Sequence, residues 1–161
     1  MGAVARVQRL LLHTRVVPTQ LYRLMILAWG ISAVVQLVVG VPVSVSTAVE
    51  APWFSWMFTI LQLCGAVTVL TALYLVDGNT VDNVAPCQAR RMIDRLNRSL
   101  ALEMIGIIEL EIVIAWQVAA TAFYAGTLPP AGSSWMAIIF GLWILTRVRD
   151  IIRAQRELTL R

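Results

Sequence analysis

Residues 90–126 read RRMIDRLNRSLALEMIGIIELEIVIAWQVAATAFYAG and change character within one predicted helix. The first part mixes arginines with apolar residues at helical spacing, and the run from Met104 to Tyr124 is almost wholly apolar. About 20 helical residues cross the hydrocarbon core of a bilayer, so this run predicts a transmembrane helix. Glu109 and Glu111 interrupt it. A carboxylate at that depth costs about 2.5–3.5 kcal/mol, so each needs a partner, a proton or water.

The composition of the chain is that of a membrane protein. Its 161 residues are 59% hydrophobic and 14% charged, and the mean hydropathy is +0.77. These values lie far from those of a soluble domain. The net charge is +4, and all thirteen basic residues are arginine, which is typical of a GC-rich genome. Because the arginines flank apolar runs, the expected anionic partner is the lipid headgroup surface of the bilayer rather than a nucleic acid.

The apolar pattern predicts an all-α, polytopic membrane protein with a single domain over residues 1–161, a bundle of four transmembrane helices. An amphipathic cytoplasmic arm, residues 1–23, precedes the first span, and Arg90–Leu100 forms an amphipathic helix continuous with the third span. A basic, amphipathic tail, residues 149–161, follows the last span. The predicted spans are about 24–43, 52–76, 104–125 and 130–148.

The distribution of arginines predicts the orientation of these spans. Four arginines precede the first span, four lie between the second and third, and five follow position 146. The loops 44–51 and 127–133 contain none. The positive-inside rule therefore predicts that both termini lie in the cytoplasm and that these two loops lie outside. Trp53, Tyr124 and Trp135 then form an outer aromatic belt.

The turn between the third and fourth spans is short, so these helices are expected to be antiparallel neighbours. If their outer ends are level, equal helical rise places Arg147 level with Glu111 and Arg149 level with Glu109. Glu103 lies farther inward, beside the level of the basic tail. We therefore predict an intramembrane charge network among these five residues.

The two interrupting acids cannot both face the same neighbour. Glu109 and Glu111 point about 200° apart on a helix, so one of them faces another helix, another subunit or water. Three roles stay open for them at this point. They are part of a structural charge network, they line a proton or cation pathway, or they contact other subunits.

Polar residues outside this network have simpler expected roles. Gln36 is the only strongly polar side chain of the first span, and we expect it to hydrogen-bond a neighbouring helix. Most of the other arginines near the inner surface are expected to anchor the chain on anionic headgroups. These anchors are Arg90, Arg91, Arg95, Arg98, Arg153 and Arg156.

No metal site, disulfide or cofactor site is predicted. Cys64 falls within a span and Cys87 in a polar loop, so their Cα atoms are expected to lie beyond the roughly 7 Å that a disulfide allows. His13 is the only histidine and has no metal-ligand spacing with them. The chain lacks a Gly-x-Ser-x-Gly motif and a phosphate loop, and no histidine in a span can ligate haem. The signatures of the membrane phosphatidyltransferases and of the intramembrane prenyl-protein proteases are also incomplete, so an enzyme is not expected.

In layout the chain resembles the small four-span, holin-like membrane proteins encoded by bacteriophages of GC-rich actinobacteria. The features that carry this resemblance are the arginine-only basic residues, the two minimal outer loops, the inner loop Arg90–Arg98 and the basic tail Arg147–Arg161. The resemblance implies a protein that accumulates in the host inner membrane, oligomerises and permeabilises it. It implies no catalytic residue.

Three functions therefore remain open. The first is a membrane-active, self-associating protein of the holin-like type. The second is a structural or accessory subunit of a larger membrane complex, for which the uncharged second span would supply a surface for partners. The third is a small transporter or channel that uses Glu109 or Glu111.

Overall fold

The computed structural model describes residues 19–76, 86–126 and 132–159. Within these residues the chain forms five helices and no strand, so the predicted all-α class is confirmed. The helices are α1 Thr19–Val39, α2 Val43–Ala48, α3 Pro52–Val76, α4 Pro86–Ala125 and α5 Gly132–Thr159.

Helices α1 and α3 have the length and apolar character that a membrane span requires. The qualifying stretches are Gln20–Val39, 20 residues with a mean hydropathy of 1.7, and Pro52–Leu75, 24 residues with a mean hydropathy of 1.9. The bounds of α3 agree with the predicted second span. Its start is well defined because Pro52 suits the first position of a helix, and the N–H of Phe54 donates to the carbonyl of Ala51.

Helix α4 is continuous over 40 residues. The amphipathic segment and the third predicted span therefore form one helix, as the pattern indicated. At 1.5 Å per residue α4 is about 60 Å long, roughly twice the thickness of a hydrocarbon core. Helix α5 likewise joins the fourth predicted span to most of the basic tail in one helix of 28 residues.

The first predicted span and the link after it need correction. Helix α1 begins at Thr19, earlier than predicted, and residues 1–18 of the predicted arm lie outside the described residues. The link 44–51 was expected to be a loop but contains α2. The hydroxyls of Ser46 and Thr47 donate to the carbonyl of Val43, and these local bonds support a short helix of six residues that hydropathy alone does not reveal.

The long helices pack as antiparallel neighbours in chain order. Helix α3 contacts α1 on one side and α4 on the other, and α4 contacts α5. Helices α1 and α5 meet through aromatic rings, with Tyr22 5.1 Å from Trp143 and Trp29 5.9 Å from Phe140 between ring centroids. Short α2 buries Val45 in a second cluster that also contains Val113 and Ala120 of α4.

Two glycines allow α3 and α4 to approach closely. A Cβ built on Gly106 would lie 2.8 Å from the carbonyl oxygen of Gly65 and 2.9 Å from the backbone nitrogen of Val69. A Cβ on Gly65 would lie 3.1 Å from the carbonyl oxygen of Gly106. The sequence indicated close approach at Gly65, but Gly106, its partner, was not predicted. Small residues of this kind are how membrane helices gain packing contacts.

We predict that Gly106→Ala destabilises the bundle by about 1–3 kcal/mol, because backbone atoms of α3 must move to admit the methyl group. The measurement is the thermal midpoint of the detergent-solubilised protein. Gly30→Ala is the matched control, since its Cβ would lie 3.4 Å from that of Ala66, an ordinary contact. A Gly106→Ala protein as stable as the wild type would show that the two helices are not in close contact here.

Candidate functional site

A buried ion pair joins α4 to α5. The Nε of Arg147 donates to Oε1 of Glu103 at 2.8 Å, and Nη2 donates to Oε2 at 3.2 Å. Only 2% of Glu103 and 7% of Arg147 is exposed. This two-point geometry is the strongest arrangement of an arginine and a carboxylate. It places a neutral pair, rather than two separate charges, between the helices.

A tyrosine from α1 completes this buried cluster. Tyr22 is 2% exposed; its hydroxyl is buried, interacts electrostatically with Glu103 and Arg147, and has no hydrogen-bond partner among the described residues. Nη1 of Arg147 is also buried and has no hydrogen-bond partner among the described residues. Three helices therefore meet at this cluster, and loss of either charge would leave the other buried and unpaired.

The predicted pairing of Arg147 with Glu111 is wrong, because Arg147 binds Glu103, about two helical turns farther inward. The prediction assumed that the outer ends of the two helices are level. In the structure α4 continues to Ala125 and α5 begins at Gly132. With Glu103 level with Arg147, the start of α5 lies level with about Val118, well below the end of α4.

Glu111 faces α5 but meets a glycine there instead of an arginine. A Cβ built on Gly141 would lie 3.4 Å from Oε2 of Glu111 and 3.7 Å from Oε1. The absent side chain at Gly141 thus makes room for the carboxyl group. Oε1 of Glu111 is buried and has no hydrogen-bond partner among the described residues.

Glu109 faces the opposite neighbour, α3. Its Cβ would lie 3.2 Å from a Cβ built on Gly65, and its Oε2 is buried without a described partner. The two acids therefore point to different helices, as the helical angle predicted. Arg149 is exposed, and no ion pair joins it to Glu109 in the part of the chain that the structure describes. Of the five predicted network residues, the structure pairs only Glu103 and Arg147.

The interhelical amide is Gln62 rather than Gln36. Gln36 donates from Nε2 to the hydroxyl of Ser32 at 3.3 Å, a bond within α1. Gln62, 1% exposed, donates from Nε2 to the carbonyl of Trp29 at 2.9 Å and so joins α3 to α1. The only signal for this role was a glutamine inside the most apolar predicted span.

A second interhelical hydrogen bond starts from a serine. The buried hydroxyl of Ser99 donates to the carbonyl of Ala72 at 2.7 Å and joins α4 to α3. The sequence hypothesis placed Ser99 on the cytoplasmic amphipathic segment and gave it no contact. A small hydroxyl on an amphipathic helix carries no periodic signal, so its partner depends on the packing.

The structure describes the side chains of four of the six arginines predicted to anchor the chain at the membrane surface. Those of Arg95, Arg98, Arg153 and Arg156 are exposed, and those of Arg90 and Arg91 lie outside the described side chains.

Across residues 19–76, 86–126 and 132–159, no three His, Cys, Asp or Glu residues lie close enough together to hold a metal ion. No protein-family model, curated protein or solved structure matches this chain.

We predict that Glu103 and Arg147 are energetically coupled. Glu103→Gln and Arg147→Gln should each cost about 3–5 kcal/mol, because each leaves an unpaired buried charge, and the double variant should cost less than their sum. The measurement is a double-mutant cycle on the stability of the solubilised protein. The control cycle pairs Glu111→Gln with Arg147→Gln and should be additive. Additive effects of the Glu103 and Arg147 variants would contradict the assignment.

Proposed function

We propose that this chain is an integral protein of the bacterial inner membrane with four spans and both termini in the cytoplasm. Large apolar residues exposed on all four long helices support this proposal. Soluble monomers rarely expose connected apolar surface of more than a few hundred Å². Examples from the four helices are Leu24, Ile31 and Val35; Trp56, Ile60 and Val67; Ile105, Ile108 and Ile112; and Met136, Ile139 and Leu142.

The burial and pairing of charged residues on α4 and α5 also fit insertion in a bilayer. Ile105, Ile108 and Ile112 on α4 are each about half exposed. Glu103, which precedes them on the same helix, is buried and forms an ion pair with Arg147. Membrane helices turn ionisable groups inward in this way, because lipid cannot solvate them. A soluble helix would place the same groups on its outer surface.

The proposed activity is self-association that permeabilises the membrane, without catalysis. Glu109 and Glu111 carry this proposal, since each keeps a buried carboxylate oxygen that has no described partner. An interhelical hydrogen bond in lipid contributes about 1 kcal/mol, so association that brings water or donors to these oxygens is favoured. Oligomers that enclose such groups would surround a hydrated path, as the resemblance to holin-like proteins implies.

The second candidate is an accessory subunit of a larger membrane complex. The observation that favours it is a shallow apolar groove on the exposed side of uncharged α3, which a partner helix would fill. The groove is lined by Val67, Leu70, Thr71, Tyr74 and Leu75. In this case the chain would insert and remain stable without any effect on the membrane potential.

The topology is tested by cysteine labelling. In a variant whose native Cys64 and Cys87 are replaced by serine, Ser46→Cys on α2 should react with an impermeant reagent added to intact cells. Asn83→Cys should react only after permeabilisation, because the positive-inside rule places that segment in the cytosol. Protection of Ser46→Cys in intact cells would contradict the proposed orientation.

The activity is tested by expression in a bacterial host. The wild-type protein should depolarise the inner membrane, and Glu109→Leu and Glu111→Leu should weaken depolarisation while membrane insertion is retained. Ile112→Leu, a change on the exposed side of the same helix, is the matched control and should depolarise like the wild type. High-level accumulation with unchanged potential and growth would exclude permeabilisation and favour the accessory-subunit function.

A further inference from the structure

The helix contacts locate the inner edge of the apolar layer on all four helices. Gly30 lies against Ala66, so the start of the α1 span at Gln20 is level with about the end of the α3 span at Leu75. The bond from Ser99 to Ala72 then makes Leu75 level with Leu96 of α4. The inner ends of the two apolar spans therefore lie at the same height.

The rise per residue also gives the levels of residues on α5 and at the outer edge of the apolar layer. The pair Glu103–Arg147 makes Leu96 level with Ala154, and both side chains are buried. At the other edge, the rings of Phe54 and Trp116 make a tilted contact with centroids 4.9 Å apart, and Trp135 lies level with Trp116 within about one residue. Tyr124, expected in the outer aromatic belt, lies about 12 Å beyond Trp116.

Exposed arginines from two distant segments collect at the inner edge. Counted along the helix axes, Arg95, Arg98, Arg149 and Arg153 all lie within about 8 Å of the level of Leu96. All four side chains are exposed. We infer that these four residues form a collar that binds the phosphate groups of anionic phospholipids, an inference that rests on the proposed membrane insertion.

Charge and depth select lipid phosphate as the partner. Glu103 and Arg147 lie about 10 Å inside the edge and neutralise each other, so they contribute no net attraction for a headgroup. Asp94 and Asp150 are exposed at the level of the collar and only partly offset its charge. A guanidinium binds phosphate through two parallel hydrogen bonds, and its long stem lets it reach the headgroups from slightly within the apolar layer.

The test titrates phosphatidylglycerol or phosphatidylcholine into the full-length protein in detergent and follows the thermal midpoint, since a ligand of the folded state raises it. Phosphatidylglycerol should raise the midpoint more, and the difference should shrink with salt. Each Arg→Gln change in the collar should weaken the apparent affinity for phosphatidylglycerol about fivefold. The quadruple variant, with all four collar arginines changed to lysine, should keep most of the preference for phosphatidylglycerol, because the positive charges are retained.

Asp150→Asn is the opposite-sign control. It removes an exposed negative charge at the same level and should strengthen binding of phosphatidylglycerol, which general damage to the fold would not do. The proposed collar would be contradicted if the two lipids raised the thermal midpoint of the wild type equally. It would also be contradicted if the quadruple variant, with all four collar arginines changed to glutamine, kept the wild-type preference for phosphatidylglycerol. Membrane depolarisation is not measured in this experiment, so a failure of the proposed permeabilisation would not affect its outcome.

Discussion

The bond between Glu103 and Arg147 fixes the placement of α5 on α4. An isolated charge in a low-dielectric interior costs several kcal/mol, and two-point hydrogen bonding offsets that cost only in one relative position of the helices. Sliding α5 by one turn would separate the two groups by about 5 Å. The levels of Glu111, Gly141 and the arginines of the collar on α4 and α5 all follow from this single register.

The other helix contacts are specified by packing and by neutral hydrogen bonds. Gly65 and Gly106 let two backbones approach, while Gln62 and Ser99 each reach a carbonyl of the neighbouring helix. In the proposed bilayer, lipid would supply no hydrophobic force between helices, so close packing and such bonds would hold α1, α3 and α4 together. The charged pair then attaches α5, whose contact with α1 is made by bulky rings instead of close backbone approach.

Hydropathy located α3 correctly because its apolar run is uncharged and is bounded by Pro52 and Asp77. It also indicated that α4 is continuous and that Glu109 and Glu111 diverge, since both conclusions depend only on helical periodicity. The partner of Arg147 was not predictable in this way. It depends on how far α4 continues past the start of α5, which is a property of the connection and not of either helix. Gly106 was missed for the same reason, because its role exists only opposite Gly65.

The polar groups inside this bundle fall into two kinds with different consequences. Both carboxylate oxygens of Glu103 and the hydroxyl of Ser99 have partners on neighbouring helices, so these two groups stabilise the monomer and offer nothing to a second molecule. Gln62 bonds α1 through its Nε2, but its buried Oε1 has no partner among the described residues. Glu109 and Glu111 each retain an unmatched oxygen, although space was made for Glu111 by Gly141. A carboxyl group in lipid with an unmet hydrogen bond raises the free energy of the monomer relative to any state that hydrates or pairs it. The proposed activity therefore depends on these two acids rather than on the ion pair that organises the fold.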